Sequence, residues 1–205
     1  MSDDTGSLRF RRDEGDRGLH MELRLERAAK KAGVPGEGLE LLARAHTLAM
    51  EPRRTRLGGQ RHPDFLHPGR SALILLLDAA VAEPLLLAGA TLAESEREDL
   101  RVPGGRIAAA LGEAVAGFVT GLPSPVPDGP DLMELLVTAE DGARLVALAE
   151  RLDHLRHAHL WTDLAARRAA HAQAVEVWAP VAARTHPRLA DRYRWWIGMF
   201  SRRHL

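Results

Sequence analysis

Two kinds of side chain in this chain could do chemistry together: histidines beside carboxylates, and arginines in a run. The stretch Arg61-His62-Pro63-Asp64-Phe65-Leu66-His67-Pro68 leads into the apolar run Ser71–Val81. A His-Pro step there predicts the end of a loop and the start of a buried helix, because proline suits a first helical turn whose N–H has no partner anyway. His67 then stands at the top of that helix, where a metal or phosphate site can be built. Upstream, Arg53, Arg54 and Arg56 lie in a basic stretch over Pro52–Gly59. Such a stretch is a solvated turn, or beside a histidine site it binds phosphate or stacks on a base, since guanidinium does both. His46 lies near the packed face of the preceding helix and reads as a structural histidine.

The elements that must position these groups are helical. The chain has 205 residues, 28 basic and 28 acidic, and no cysteine. The balanced charge argues against a general nucleic-acid binder. Without cysteine, disulfides and thiolate metal sites are excluded. No apolar run reaches the ~20 residues of a membrane span, and no apolar signal core opens the chain, so a soluble, cytoplasmic protein is expected. Ala, Leu and Arg abound while aromatic and β-branched residues are scarce, which favours helix over strand.

Residues 1–20 are polar and lack apolar periodicity, so they are expected to be a disordered tail, with residues 21–205 forming one domain. Eight helices are expected: Glu22–Ala32, Leu39–Met50, Pro68–Val81, Pro84–Glu96, Pro103–Thr120, Asp131–His159 with a break at Gly142, one capped by Thr162 or Asp163 and running to about Arg184, and Pro187–His204. Leu122–Pro130 holds four prolines and reads as a loop. In the last helix Arg192, Arg194, Arg202 and Arg203 interleave with Tyr193, Trp195, Trp196, Ile197 and Phe200. The ordinary reading packs Trp195, Met199 and Phe200 into the core with the arginines outside. Nucleic acid, a membrane surface, a partner helix or a homodimer contact are the alternatives.

In order and spacing these segments resemble the HD-domain hydrolase module of the RelA/SpoT alarmone enzymes, over roughly residues 38–200. Ala45-His46, the basic stretch and Pro63-Asp64-Phe65-Leu66-His67-Pro68 are similar to the family's Ala-His, Arg-rich loop and Pro-Tyr-Ile-x-His-Pro. Arg106-Ile107 through Leu111-Gly112, Val115 and Val119-Thr120 is similar to its Phe-Gly…Val…Val-Thr helix. Leu148–Arg156 resembles its Leu-Ala-Asp-Arg-Leu-His/Asp-Asn-Leu-Arg, and Val177–Ala182 its Tyr-Ala-Pro-Leu-Ala helix. The resemblance implies an all-α, HD-type orthogonal bundle. It also implies a divalent metal, usually manganese, held by the His of His-Pro, a His-Asp pair and a later Asp, and activating water against the 3′-pyrophosphate of ppGpp.

Carried over, His67 is kept and Glu150 replaces the later Asp. Ala90-Thr91, or Thr91-Leu92, stands where the His-Asp pair belongs. Glu94-Ser95 replaces the carboxylate pair that follows, leaving Glu94 as the candidate catalytic carboxylate. His154 replaces a nucleotide-contacting Asn, and Arg54, Arg56, Arg61 and Arg156 match nucleotide or phosphate contacts. A hard divalent ion needs several N or O donors, and His67 with Glu150 alone are too few. The expectation is a pseudo-hydrolase without cofactor that binds a guanine nucleotide such as ppGpp, or acts through a homodimer or another protein. The alternative is an active phosphohydrolase with a rebuilt Mn2+ site. Glu150, Asp153, His154 and His157 share one helical stripe at i, i+3, i+4 and i+7 that His67, His62 and Glu94 could face.

Overall fold

The computed structural model describes residues 5–124 and 131–205, with side chains from Arg17 onward. Every regular element among them is a helix, so the all-α class holds. There are ten helices among the described residues rather than eight. They are α1 (Thr5–Lys31), α2 (Gly36–Arg56), α3 (His67–Leu73, continued by a π-helical turn Ile74–Ala79), α4 (Pro84–Leu92), α5 (Gly104–Leu111), α6 (Glu113–Thr120), α7 (Leu132–Thr138), α8 (Asp141–His157), α9 (Leu164–Gln173, continued by a π-helical turn Ala174–Trp178 and by Ala179–Thr185) and α10 (Pro187–His204).

Two expected helices are each split. Gly112, at φ 93°, separates α5 from α6 in a conformation only glycine adopts without strain. The extended residues Ala139 and Glu140 separate α7 from α8. Gly142 is therefore not the break. It sits in the first turn of α8, where a Cβ would come within 2.8 Å of Leu86 Cδ2. Helix α1 begins at Thr5, and residues 1–4 lie outside the described set. Residues 125–130 of the proline-rich loop also lie outside it.

The local starts follow from sequence. Pro68, Pro84 and Pro187 occupy first turns of α3, α4 and α10. The Asp131 carboxylate accepts the Met133 N–H at 2.6 Å, and Asp163 accepts the Ala165 N–H at 2.8 Å. The second π turn lies directly before Pro180, which has no N–H to continue the α ladder.

The core has three parts. The largest gathers α3, α4, α8, α9 and α10. A second packs α2 and α4 against α5 and α6. The third joins Met50, Leu57, Phe65 and Leu100. Helix α8 is the axis: Val146, Leu148, Leu152 and Leu155 are inaccessible, and the buried Tyr193 hydroxyl of α10 donates to the Leu148 carbonyl at 2.8 Å. Glu150, Asp153 and His154 are buried with them.

In α10 the buried aromatics are Tyr193, Trp196 and Phe200, spaced i, i+3 and i+7. Trp195 is 62% exposed and Met199 half-buried, correcting the expected core face by one residue. No described helix is long and apolar enough to cross a membrane.

Candidate functional site

Helices α3, α4 and α8 meet where α3 begins. His67 is fully buried there and its Nδ1 lies 2.8 Å from Asp153 Oδ2. Arg70, one turn along α3, holds both oxygens of Asp153, at 2.7 and 2.9 Å, and also donates to the Pro63 carbonyl at 2.7 Å. A guanidinium spanning a buried carboxylate is the strongest form of this pairing. It leaves Asp153 no oxygen free of a cation. Burial would raise the Asp153 carboxyl, but the His67 and Arg70 contacts hold it far below its usual value.

Glu150 lies one turn before Asp153 and His154 one turn after Glu150. One Glu150 oxygen accepts the Ser95 N–H at 2.9 Å and the Ser95 hydroxyl at 2.8 Å, and lies 3.2 Å from His154 Nε2. Burial works against the carboxylate, yet the His154, His67 and Ser95 contacts lower it to about 2. Burial likewise lowers His154, but the Glu150 hydrogen bond and the carboxylates of Glu150, Glu96 and Glu94 outweigh it and raise the imidazole to about 9. Its Nδ1 faces Glu96 at 3.3 Å, and Glu96 is also held by Arg151.

Glu94 and Ser95 were expected inside a helix running to Glu96. The helix stops at Leu92, and Ala93 is extended. The turn points Glu94 inward, where it accepts from buried Arg53 and, at 3.1 Å, from the Arg97 N–H. Arg53 was expected in a solvated loop. It belongs to α2, which runs through Pro52 to Arg56, and it also donates to the carbonyls of Asp64 (3.1 Å) and Ala49 (2.9 Å).

Of the residues singled out from sequence, His67, Glu94, Glu150 and His154 converge. The four arginines do not join them. Arg54 and Arg56 are exposed at the end of α2, where Arg56 donates to the Asp99 carbonyl, and Arg61 is exposed in the following loop. Arg156 pairs with Asp78 at 2.7 Å, at the far end of α3. His62 accepts the Asp64 N–H at 3.2 Å, and Thr91 turns its hydroxyl back to the Leu87 carbonyl at 2.8 Å. His157 bonds its Nδ1 to the Asp153 carbonyl at 2.8 Å. Sequence reasoning missed Arg70, put Arg53 in a solvated or phosphate-binding turn, and named Ser95 only within the replaced carboxylate pair. Arg70 was within reach of it, since it lies at i+3 from His67 on the same helix.

The donor set can be tested against a metal. His67, Glu150 and His154 each present a ligating atom within 4.8 Å of the others. The two imidazoles, however, stack with centroids 4.2 Å apart and planes 29° from parallel. Stacked rings aim their in-plane lone pairs side by side, whereas shared coordination needs them to converge. The charges also close without an ion. Four carboxylates, Glu94, Glu96, Glu150 and Asp153, face Arg53, Arg151, Arg70 and the His154 imidazolium. The residues as placed do not fit a hard divalent ion.

A cleft of about 220 Å³ opens beside this cluster, lined by Glu94, Ser95, Arg101, Thr120, Leu122 and Glu150 among others. It gives one edge of the cluster access to a ligand. Comparisons with protein-family models, with curated proteins and with solved structures find no match to this chain.

Proposed function

We propose that this chain is a non-hydrolytic module of the kind its sequence resembles, binding a guanine nucleotide such as ppGpp without metal-dependent cleavage. One observation carries the reading: each buried carboxylate of the cluster is already held by a protein cation. Glu94, which the resemblance makes the catalytic carboxylate, is bound by Arg53 and the Arg97 N–H. Asp153 is spanned by Arg70. A carboxylate so engaged is a poor general base and a poor metal ligand, because either role requires breaking a buried ion pair. The cleft at Glu94, Ser95 and Arg101 is where the ligand enters, with Arg101 as its cation; its Nε donates to the Glu94 carbonyl at 3.2 Å.

The approach of His67, Glu150 and His154 favours a second reading, an active phosphohydrolase with a rebuilt metal centre. Elemental analysis of the purified chain, calorimetric titration of ppGpp with and without manganese, and a turnover assay separate the two. The proposal expects no stoichiometric metal, no turnover, and ppGpp binding unaffected by manganese. Stoichiometric metal with ppGpp hydrolysis overturns it in favour of the enzyme. Absence of both binding and turnover removes the nucleotide and leaves a protein-interaction role.

A further inference from the structure

A second cleft, of about 620 Å³, lies between α10 and the carboxyl ends of α3 and α8, away from the His67 cluster. Its size is within the ~300–1,000 Å³ usual for small-ligand sites. Asp78 lies on the floor, eleven residues beyond His67, or roughly 15 Å of helix rise. It is the cleft's acid, and two guanidinium groups share it: Arg156 at 2.7 Å and Arg192 at 2.9 Å. Arg203, exposed at the rim, has no acidic partner among the described residues. Three guanidinium groups thus face one carboxylate, a local excess of positive charge in a chain whose charges balance as a whole.

The aromatic lining is equally specific. Trp196 is buried and stacks on Phe200 at 4.5 Å, so the wall behind is rigid. Trp195 beside it is 62% exposed, while Trp178 and Trp196 are buried and Trp161 is half-buried. Nothing in the packing of α10 accounts for an open indole at that position. A flat π-face flanked by guanidinium groups that outnumber their one carboxylate is the recognition chemistry of a base carrying a phosphate.

We propose that this cleft binds a nucleoside phosphate, with the base stacked on Trp195 and the phosphate held by Arg192 and Arg203. Asp78 acts as a positioning residue. It holds Arg156 and Arg192, one on each carboxylate oxygen, and sets the spacing of the phosphate contacts. A mononucleotide suits the cleft better than a nucleic-acid strand, because the arginines gather in one concavity rather than along a track. The site is separate from the Glu94 cleft and stands whether or not ppGpp binds there.

The test is calorimetric titration of the full chain with GMP and with AMP, with guanosine and inorganic phosphate as part-ligands. Wild type is expected to bind one equivalent of GMP with Kd below about 1 mM, and each part-ligand more weakly. Trp195→Leu should weaken GMP about tenfold or more. Arg203→Gln should weaken it about tenfold and flatten its salt dependence. Both positions are exposed, so circular dichroism and thermal midpoints should match wild type. Lys30→Gln, exposed on α1 and lining neither cleft, should leave this binding unchanged. The proposal is overturned if GMP does not bind wild type at about 5 mM, or if both variants bind it as tightly as wild type does. An oligonucleotide bound more than about tenfold tighter than GMP would replace it with a strand-binding track. A wild-type dimer that Trp195→Leu dissociates would assign the cleft to a second copy of the chain.

Discussion

Replacing Arg53 with methionine is the sharpest test of how the cluster is held. Arg53 is 2% exposed, and its guanidinium serves Glu94 and the carbonyls of Asp64 and Ala49 at 3.1 and 2.9 Å. Methionine keeps most of the volume and none of the charge. Glu94 would remain buried with only the Arg97 N–H at 3.1 Å and His154 at 3.9 Å to answer it. Removing one member of a buried pair costs about 3–5 kcal/mol, because the survivor's charge is left uncompensated. For a chain of this size that is a fall of roughly 6–20 °C in Tm. Replacing both partners, Arg53→Met with Glu94→Leu, should recover at least about 2 kcal/mol of the loss, since a buried pair exchanged for apolar side chains is often neutral. Urea unfolding followed by tryptophan fluorescence and far-UV circular dichroism measures both. A single-variant loss under about 1 kcal/mol, or a double variant less stable than the single, would refute the reasoning. Glu94 would then be free of Arg53 and available to a metal or a substrate.

Stability should also depend on pH through His154 and Glu150. His154 is raised to about 9 in the folded state against an ordinary value of 6.5. Its contribution is therefore complete below pH 6.5 and is lost as pH rises through about 9, a fall on the order of 3 kcal/mol. Glu150 is lowered from 4.5 to about 2, so its contribution is complete above pH 4.5 and is lost as pH falls toward 2. Urea midpoints from pH 3 to 10 should show a plateau between these limbs, and His154→Gln should flatten the alkaline one. Ala80 ends the first π turn at φ 59°, ψ 37°, a left-handed conformation that strains a Cβ. Ala80→Gly should stabilise the chain by about 0.5–1 kcal/mol, and an unchanged or lower urea midpoint would count against strain there.

The fold was legible where one residue acts on its own neighbours. Pro68 and Pro84 open helices and Asp131 caps one, each because the deciding bond lies within a turn of the residue. What escaped the sequence depends on partners far along the chain. Arg53 looks solvated in a run of arginines, and only Glu94, 41 residues later, makes it a core residue. The same holds for Arg70 with Asp153, 83 residues away. Gly112 was read as a small residue in a helix because composition does not reveal which glycine takes φ 93°. Trp195 and Trp196 differ by one helical position, about 100° of rotation, and periodicity places a face no more finely than that. For the site, His67, Glu94, Glu150 and His154 were found and do meet. Their cations were not foreseen, and those cations decide what the carboxylates can do.

The π turn at Ile74–Ala79 sets the phase of α3. In an unbroken α-helix, positions eleven apart fall nearly in line, so Asp78 would stand on the edge that carries His67. One wide turn takes up an extra residue and rotates everything after it by about 100°. One helix therefore presents His67 and Arg70 to Asp153 at its start, and Asp78 to Arg156 and Arg192 at its end. Winding residues 74–79 as regular α-helix, with no residue removed, would turn the second set back toward the first. The two clefts of this protein are kept apart by a gear tooth one residue wide.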